Sequence, residues 1–141
     1  MTAVWKLDPH RNWDWSRPVF DHVDVFVRDL RESVRFYEAV LAQLHVPMIV
    51  DRGDSVEFPN FGLVAGRPPS GPLHLAFRAR TQAQVDAFHR AGVDAGFRDN
   101  GGPGERPAYQ YYAAFLLDPD DNNVEALYRD VGNPGHDADV G

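Results

Sequence analysis

A weak internal repeat constrains the fold of this chain more than any other feature of its 141 residues. A shift of 52 positions aligns His22 with His74, Arg28 with Arg80, Phe36 with Phe88 and Ala39 with Ala91. These identities are few, but the same predicted elements follow in the same order in both copies. Such a repeat indicates two supersecondary units that bury their apolar faces together.

Each copy begins with a predicted strand. Apolar residues occupy alternate positions from Val23 to Val27 in the first copy. Leu73, Leu75 and Phe77 alternate in the same way in the second. This period of two is typical of a strand with one buried face.

Each strand leads into a predicted helix whose start is marked by a capping pair. Asp29 is followed by Glu32 three positions later, and Thr81 stands in the same relation to Gln84. A short polar side chain at the N-cap accepts a hydrogen bond from a free backbone N–H of the first turn. Apolar residues then recur at helical spacing in both copies.

Three short extended segments are predicted after each helix. They are Val46–Val50, Ser55–Phe58 and Phe61–Ala65 in the first copy and Gly96–Asp99, Tyr111–Leu117 and Val124–Tyr128 in the second. The pattern predicts an α+β fold of two βαβββ modules, at about 19–66 and 72–130, forming a cup-shaped curved sheet around a shared cavity. Residues 1–18 form an N-terminal arm and residues 131–141 a C-terminal tail. The Gly- and Pro-rich segment 100–107 is predicted to be a flexible lid or rim loop.

Strand periodicity predicts a site on the side of the sheets that faces away from the helices. His22 and His74 have the opposite parity to the helix-facing residues of their strands, and Glu125 has the same relation to Val124 and Ala126. Two neutral imidazoles and a carboxylate can hold Fe(II), Mn, Ni or Zn and leave coordination positions open. Without further support, scattered His and Glu residues are more often ordinary hydrogen-bonded or solvated side chains.

Other polar side chains could join this site. Tyr111 and Tyr112 begin an apolar strand and could act as acid groups, while Glu57 could be a fourth ligand or a general base. Aromatic residues near a strand start more often pack in the core or at the rim, and an acid on an alternating strand is more often an exposed edge carboxylate. Asp24 and Arg78 share the parity of the two histidines and could orient an anionic ligand.

Composition narrows the class of partner. The net charge is −7 and no basic stripe is present, which argues against nucleic acid. No apolar run approaches the ~18 residues needed to cross a bilayer. The absence of cysteine excludes disulfides and thiolate zinc sites. We therefore expect a cytoplasmic protein that acts on a small molecule, with neither nucleic acid nor a membrane as partner.

Three segments resemble the vicinal-oxygen-chelate superfamily, which includes glyoxalase I, bleomycin-resistance proteins and extradiol dioxygenases. The segment from Phe20 to Leu41 contains a strand histidine, Asp-Leu, Ser and Phe-Tyr in the family's order. The second segment is His74-Leu-Ala-Phe with Val85-Asp-Ala-Phe-His, and the third, from Tyr111 to Glu125, includes Asp-Pro-Asp-Asp-Asn. Together they cover about residues 19–130.

The resemblance implies paired βαβββ modules that frequently hold a divalent metal, with His22, His74 and Glu125 at the ligand positions. Phe115 stands where extradiol dioxygenases place a Tyr. Glyoxalase I-like members carry a further carboxylate on the last strand of the first module, and here Glu57 is the only nearby acid. A left-handed turn is expected at Asp121, where the family usually has Gly.

Two functions are therefore expected as alternatives. The first is a metal-dependent lyase, isomerase or dioxygenase that chelates a small oxygen-rich substrate through two adjacent oxygens. The second is a metal-free small-molecule or antibiotic-binding protein that sequesters its ligand, as bleomycin-resistance proteins do. The family typically forms dimers, so we expect a homodimer whose contact lies at or near Trp5, Trp13 and Trp15 of the arm.

Overall fold

The structure, a computed structural model, describes residues 3–130 and confirms two βαβββ modules. The first module consists of β1 (Val23–Phe26), α1 (Leu30–Leu41), a 3₁₀ turn (Ala42–Leu44), β2 (Val50–Asp51), β3 (Ser55–Phe58) and β4 (Phe61–Val64). The second module consists of β5 (His74–Ala79), α2 (Gln82–Asp94), β6 (Arg98–Arg106), β7 (Tyr111–Leu117) and β8 (Asn123–Tyr128). The predicted tail at 131–141 lies outside the described residues.

Each module forms its own open four-stranded sheet. The strand orders are β1-β4-β3-β2 and β5-β8-β7-β6, so both modules have the same topology. The first and last strands of each module pair in parallel, and the other pairs are antiparallel. The predicted cup is therefore present as two mixed sheets rather than as one continuous sheet within the chain.

The two predicted helix caps are confirmed. Asp29 accepts a hydrogen bond from the backbone N–H of Glu32 at 3.2 Å, and the Thr81 hydroxyl accepts one from Gln84 at 3.1 Å. The Gln84 side chain reaches back and accepts from the Arg80 N–H at 2.8 Å. The first two bonds satisfy N–H groups that the first turn of a helix leaves free, and the third ties the chain just before the cap to that turn.

One core joins the helix-facing sides of both modules. The Tyr37 ring of α1 lies 4.9 Å from Phe61 of β4 and 6.3 Å from Phe77 of β5, and the rings of Phe61 and Phe77 are 5.2 Å apart. Val25 and Val124, from the two sheets, are both fully buried in the same cluster. Because the helix-facing sides meet inside the molecule, the opposite faces of the sheets remain open.

The structure corrects two boundaries. The segment 100–107, predicted as a loop, belongs largely to β6, which pairs with β7 through register shifts around Gly101 and Gly104. Bulges and glycines let this strand pair despite its weak strand propensity. The first strand after α1, predicted at Val46–Val50, is only Val50–Asp51 in the structure. Pro47 lies in the part that is not a strand, and it has no N–H group for the hydrogen bonds of a sheet.

The arm has no regular helix or strand in residues 3–18. None of the helices within the described part of the chain is both long and apolar enough to cross a membrane.

Candidate functional site

A His–Glu pair lies on the open face of the second sheet. His74 is the first residue of β5, and Glu125 lies on the parallel neighbour β8, opposite Ala76. The His74 Nε2 atom is 2.7 Å from Glu125 Oε1. Glu125 is 1% exposed, and its second oxygen, Oε2, has no hydrogen-bond partner in the structure. An unpartnered oxygen of a buried carboxylate calls for an additional donor or cation, because such a group is costly to desolvate.

The turn before β8 positions this pair. Asp118 is buried and accepts hydrogen bonds from the backbone N–H groups of Asp120 and Asn122, both at 2.9 Å. The Asn122 side chain then accepts from the Leu73 N–H at 2.7 Å, immediately before His74. Asp121 has φ 66°, which confirms the left-handed conformation expected at the family's glycine position. The turn therefore joins the start of β5 to the start of β8.

Tyr37 of α1 binds this turn, which the sequence did not predict. The Tyr37 hydroxyl donates to Asp118 at 2.5 Å. Burial raises the pKa of Tyr37 well above its ordinary value, and the Asp118 carboxylate raises it further. The sequence pattern predicts Tyr37 as one of the apolar residues of the first helix and as part of the Phe-Tyr motif, and its bond to the buried Asp118 makes it a structural donor as well.

Tyr111 is on the same face of the sheet as Glu125. Burial raises the pKa of the Tyr111 phenol, and the Glu125 carboxylate beside it raises that pKa further. The phenol, protonated at neutral pH like any tyrosine whose pKa is not lowered, is a hydrogen-bond donor beside the carboxylate. Phe115 is on the same face of the sheet. Its ring centroid lies 6.3 Å from that of His74.

His22 is not brought to this cluster within one chain. It precedes β1 on the first sheet, where its Nδ1 is 2.8 Å from Asp21 Oδ1 and its side chain is 61% exposed. The hydrogen bond with Asp21 raises the pKa of His22, and the charge of Asp24 adds to this. Among residues 3–130, no three His, Asp or Glu side chains are close enough together to hold one ion. The reason is that the helix-facing sides of the modules share one core, which leaves the two histidines on separate open faces.

Two further candidates lie elsewhere. Glu57 of β3 forms an ion pair with Arg52 at 2.8 Å and is about half exposed, so it behaves as an edge carboxylate. Tyr112 points to the helix side of its sheet, where its hydroxyl donates to Asp86 of α2 at 2.6 Å. Neither residue contacts the His74–Glu125 pair.

Two arginines and the arm complete the open face of the second sheet. The Cζ atoms of Arg78 and Arg129 lie 5.3 and 4.1 Å from the ring of Trp15. Arg129 also lies 5.0 Å from the Tyr111 ring, and Arg78 donates to the Trp15 carbonyl at 3.2 Å. The sequence identified Arg78 by parity but missed Arg129, although its position four residues after Glu125 places it on the same face.

The donors of this face suit a divalent metal. His74 offers an imidazole nitrogen and Glu125 a buried carboxylate whose Oε2 lacks a partner. Nitrogen and oxygen ligands of this kind bind Fe, Mn, Ni or Zn. Two ligands are fewer than such ions take in proteins, so a complete site requires at least one further ligand.

Comparisons with known proteins agree with the fold and the motifs. The profile of the Glyoxalase/Bleomycin resistance protein/Dioxygenase superfamily matches residues 19–126. A glyoxalase/bleomycin resistance protein from Albidiferax ferrireducens T118 is 34% identical, with a TM-score of 0.68 over 79% of this chain and 99% of that one. No curated protein matches the chain.

Two more distant structures share the fold. A glyoxalase/bleomycin resistance protein/dioxygenase family enzyme from Burkholderia phytofirmans PsJN is 21% identical, with a TM-score of 0.61 over 77% of this chain and 96% of that one. Lactoylglutathione lyase from Agrobacterium tumefaciens is 20% identical, with a TM-score of 0.60 over 79% of this chain and 95% of that one. At these identities the likeness concerns the fold alone.

Proposed function

This chain belongs to the glyoxalase/bleomycin resistance protein/dioxygenase superfamily, and from this premise we propose that it is a metal-dependent enzyme acting on a small oxygen-rich molecule. The substrate presents two adjacent oxygens to a divalent metal, and the chemistry is that of a lyase, an isomerase or a dioxygenase. The observation that carries the proposal is the buried Glu125 carboxylate, with Oε1 on His74 and Oε2 without a partner. A divalent metal bound there would polarise the chelating oxygens as a Lewis acid.

The remaining ligand in this proposal is His22 of a second copy of the chain. His22 lies on the open face of the first sheet. The large apolar side chains of Val19 and Phe20, which shortly precede it in the chain, are exposed. Apolar clusters of this kind mark contact surfaces. A homodimer that places the first module of one copy against the second module of the other would bring His22 to His74 and Glu125.

The chain's own groups have defined roles in this site. Glu125 and His74 would hold the metal, and Tyr111 offers a neutral phenol beside the carboxylate as a hydrogen-bond donor. The coordination position that the metal would keep open for the substrate lies on the side of the sheet that faces away from the helices. Phe115 provides an apolar wall next to His74.

The alternative is a metal-free protein that sequesters a small molecule. The separation of His22 from His74 within one chain favours it, as do the aromatic side chains of Tyr111, Phe115 and Trp15 on the open face. The two functions differ in metal content. Protein purified without chelators should contain about one divalent ion per chain if the enzyme proposal holds. Wild-type protein that neither retains metal nor binds it in a titration would overturn the enzyme proposal in favour of sequestration.

Mixed dimers test where His22 acts. Chains carrying His22→Ala and His74→Ala are co-expressed with different tags, and the mixed dimer is purified. One of its two sites would combine intact His22 from one chain with intact His74 and Glu125 from the other, so the metal content should return to about half of wild type. Each single variant alone should bind poorly. A mixed dimer of His22→Ala with the double variant contains no intact site and is the matched control; equal metal binding by the two mixed dimers would contradict the shared site.

A further inference from the structure

Two guanidinium groups lie together on the open face of the second sheet. Arg78 belongs to β5, and Arg129 follows the last residue of β8. Both flank the ring of Trp15, at 5.3 and 4.1 Å. Within residues 3–130 neither arginine forms an ion pair. Burial lowers the pKa of Arg129, although the Glu125 carboxylate acts on it from a longer distance and raises that pKa by a smaller amount. Two like charges in this arrangement repel each other unless an anion joins them.

Both groups are partly buried, which makes the missing anion more significant. Burial lowers the pKa of Arg78, and the positive charge of Arg129 lowers it further. The Nε atom of Arg129 is buried and has no hydrogen-bond partner in the structure. A buried donor without an acceptor is costly, and guanidinium groups bind carboxylate and phosphate oxygens through paired N–H groups.

The arginines lie close to the His74–Glu125 pair. Tyr111 connects the two groups, since its phenol is beside Glu125 and its ring is 5.0 Å from the Arg129 Cζ atom. Glu125 of β8 is opposite Ala76 of β5, and Arg78 follows two residues after Ala76 on β5. That spacing corresponds to about 7 Å along the sheet. A ligand held at Glu125 could therefore reach the arginines with a second group.

The arm covers this position. The Trp15 ring contacts both guanidinium groups, and its carbonyl accepts a hydrogen bond from Arg78 at 3.2 Å. An indole face attracts a cation, but it supplies no negative charge to neutralise two of them. The indole therefore does not neutralise the two positive charges.

We propose that Arg78 and Arg129 form an anion-binding subsite for a carboxylate or phosphate group of the substrate, and that Trp15 covers this subsite until an anion binds. The inference rests on the proposed function in taking the ligand to be the substrate, and it narrows that substrate to an oxygen-rich molecule that carries an acidic group in addition to its chelating oxygens.

The test is a calorimetric titration of the full-length chain stripped of metal, with malonate, inorganic phosphate and the neutral malonamide as probes. Malonate or phosphate should bind, and malonamide should not. Arg78→Gln and Arg129→Gln should each weaken anion binding by about tenfold or more, since a charge-assisted bond is lost. Arg78→Lys should retain part of it. Arg67→Gln is the matched control, because Arg67 lies over the Phe26 ring at 5.3 Å in the first module.

Trp15→Ala tests the cover. Removing the indole should tighten anion binding several-fold, and circular dichroism of each variant checks that it is folded. The proposal is overturned if both anions bind no better than malonamide, or if the two Gln variants bind as wild type. An unchanged affinity in Trp15→Ala would overturn the covering role. A different result is possible, in which wild type binds no anion and Arg78→Gln weakens the dimer. That result would overturn the subsite and indicate that acidic side chains of a second copy pair with the two arginines.

The titration uses metal-free protein, so its result is independent of the metal proposal. Loss of metal binding with intact anion binding would refute the enzyme proposal and leave the subsite standing. Metal binding without anion binding would refute the subsite and leave the enzyme proposal standing.

Discussion

The His74 Nε2 atom lies 2.7 Å from Glu125 Oε1, across the parallel strands β5 and β8. Parallel pairing of the first and last strands of the module brings these distant residues together, and the Asp118 turn holds the strand starts in register. The pair thus brings together, within one chain, two of the three ligands of the proposed metal site.

Glu125→Gln should abolish most metal binding. The amide keeps the shape of the side chain but removes the charge that a divalent ion requires. Loss of an outer-shell partner typically lowers metal affinity 10–100-fold, so loss of the ligand itself should exceed about 100-fold. Competition titration with a chromogenic chelator measures the change. Glu57→Gln is the control, since Glu57 is paired with Arg52, and an equal loss in that variant would argue against the assignment.

Tyr37→Phe should destabilise the fold through the turn that positions the site. It removes the hydroxyl that donates to the buried Asp118 carboxylate at 2.5 Å. Hydrogen bonds to charged groups contribute about 1.5–3 kcal/mol, so a loss of that size is expected in the free energy of unfolding by urea. Tyr109 is 59% exposed, and Tyr109→Phe should change stability by less than about 0.5 kcal/mol. Equal stabilities of the two variants would show that the Asp118 bond contributes little.

Asp51 should make part of the stability depend on pH. Hydrogen bonds from Arg31 and from the Gly53 N–H lower the pKa of Asp51 from 3.8 to about 2. Because the folded-state pKa is depressed, this stabilisation is present above pH about 4 and is lost as pH falls towards 2. Asp51→Asn should therefore be less stable than wild type at neutral pH, and the difference should shrink in acid. Urea unfolding between pH 7 and 2 tests this, with the exposed Asp54→Asn as control; a constant difference would contradict it.

Deletion of residues 1–13 should weaken the predicted dimer. Trp5 and Trp13 are 50% and 37% exposed, so they are available to a second copy, whereas Trp15 contacts its own chain. Light scattering at roughly tens of micromolar, a concentration suited to a modest interface, should detect a wild-type dimer and a shift of the deletion variant towards monomer. A wild-type monomer would refute the dimer, and an undiminished dimer after deletion would refute the role of the arm.

The sequence alone was sufficient for the local structure. The repeat predicted both βαβββ modules, Asp29 and Thr81 marked the helix starts, and the turn motif predicted the left-handed Asp121. Alternation also placed His74 and Glu125 on one face. These features depend on neighbours within a few positions, because strand and helix periods decide which side of an element each residue occupies. The pattern predicted only the start of β6, within Gly96–Asp99, since the glycines and the single proline of the remaining strand carry no visible period.

Only the tertiary structure decided which faces meet. Contact among Tyr37, Phe61 and Phe77 packs the helix-facing sides of the modules into one core, and this separates His22 from His74 within the chain. The same packing leaves an open face where the arm places Trp15 against Arg129. Parity assigns a residue to a side of its own sheet, but it holds no information about how two sheets are arranged. That arrangement depends on the burial of side chains far apart in sequence, which no local pattern encodes.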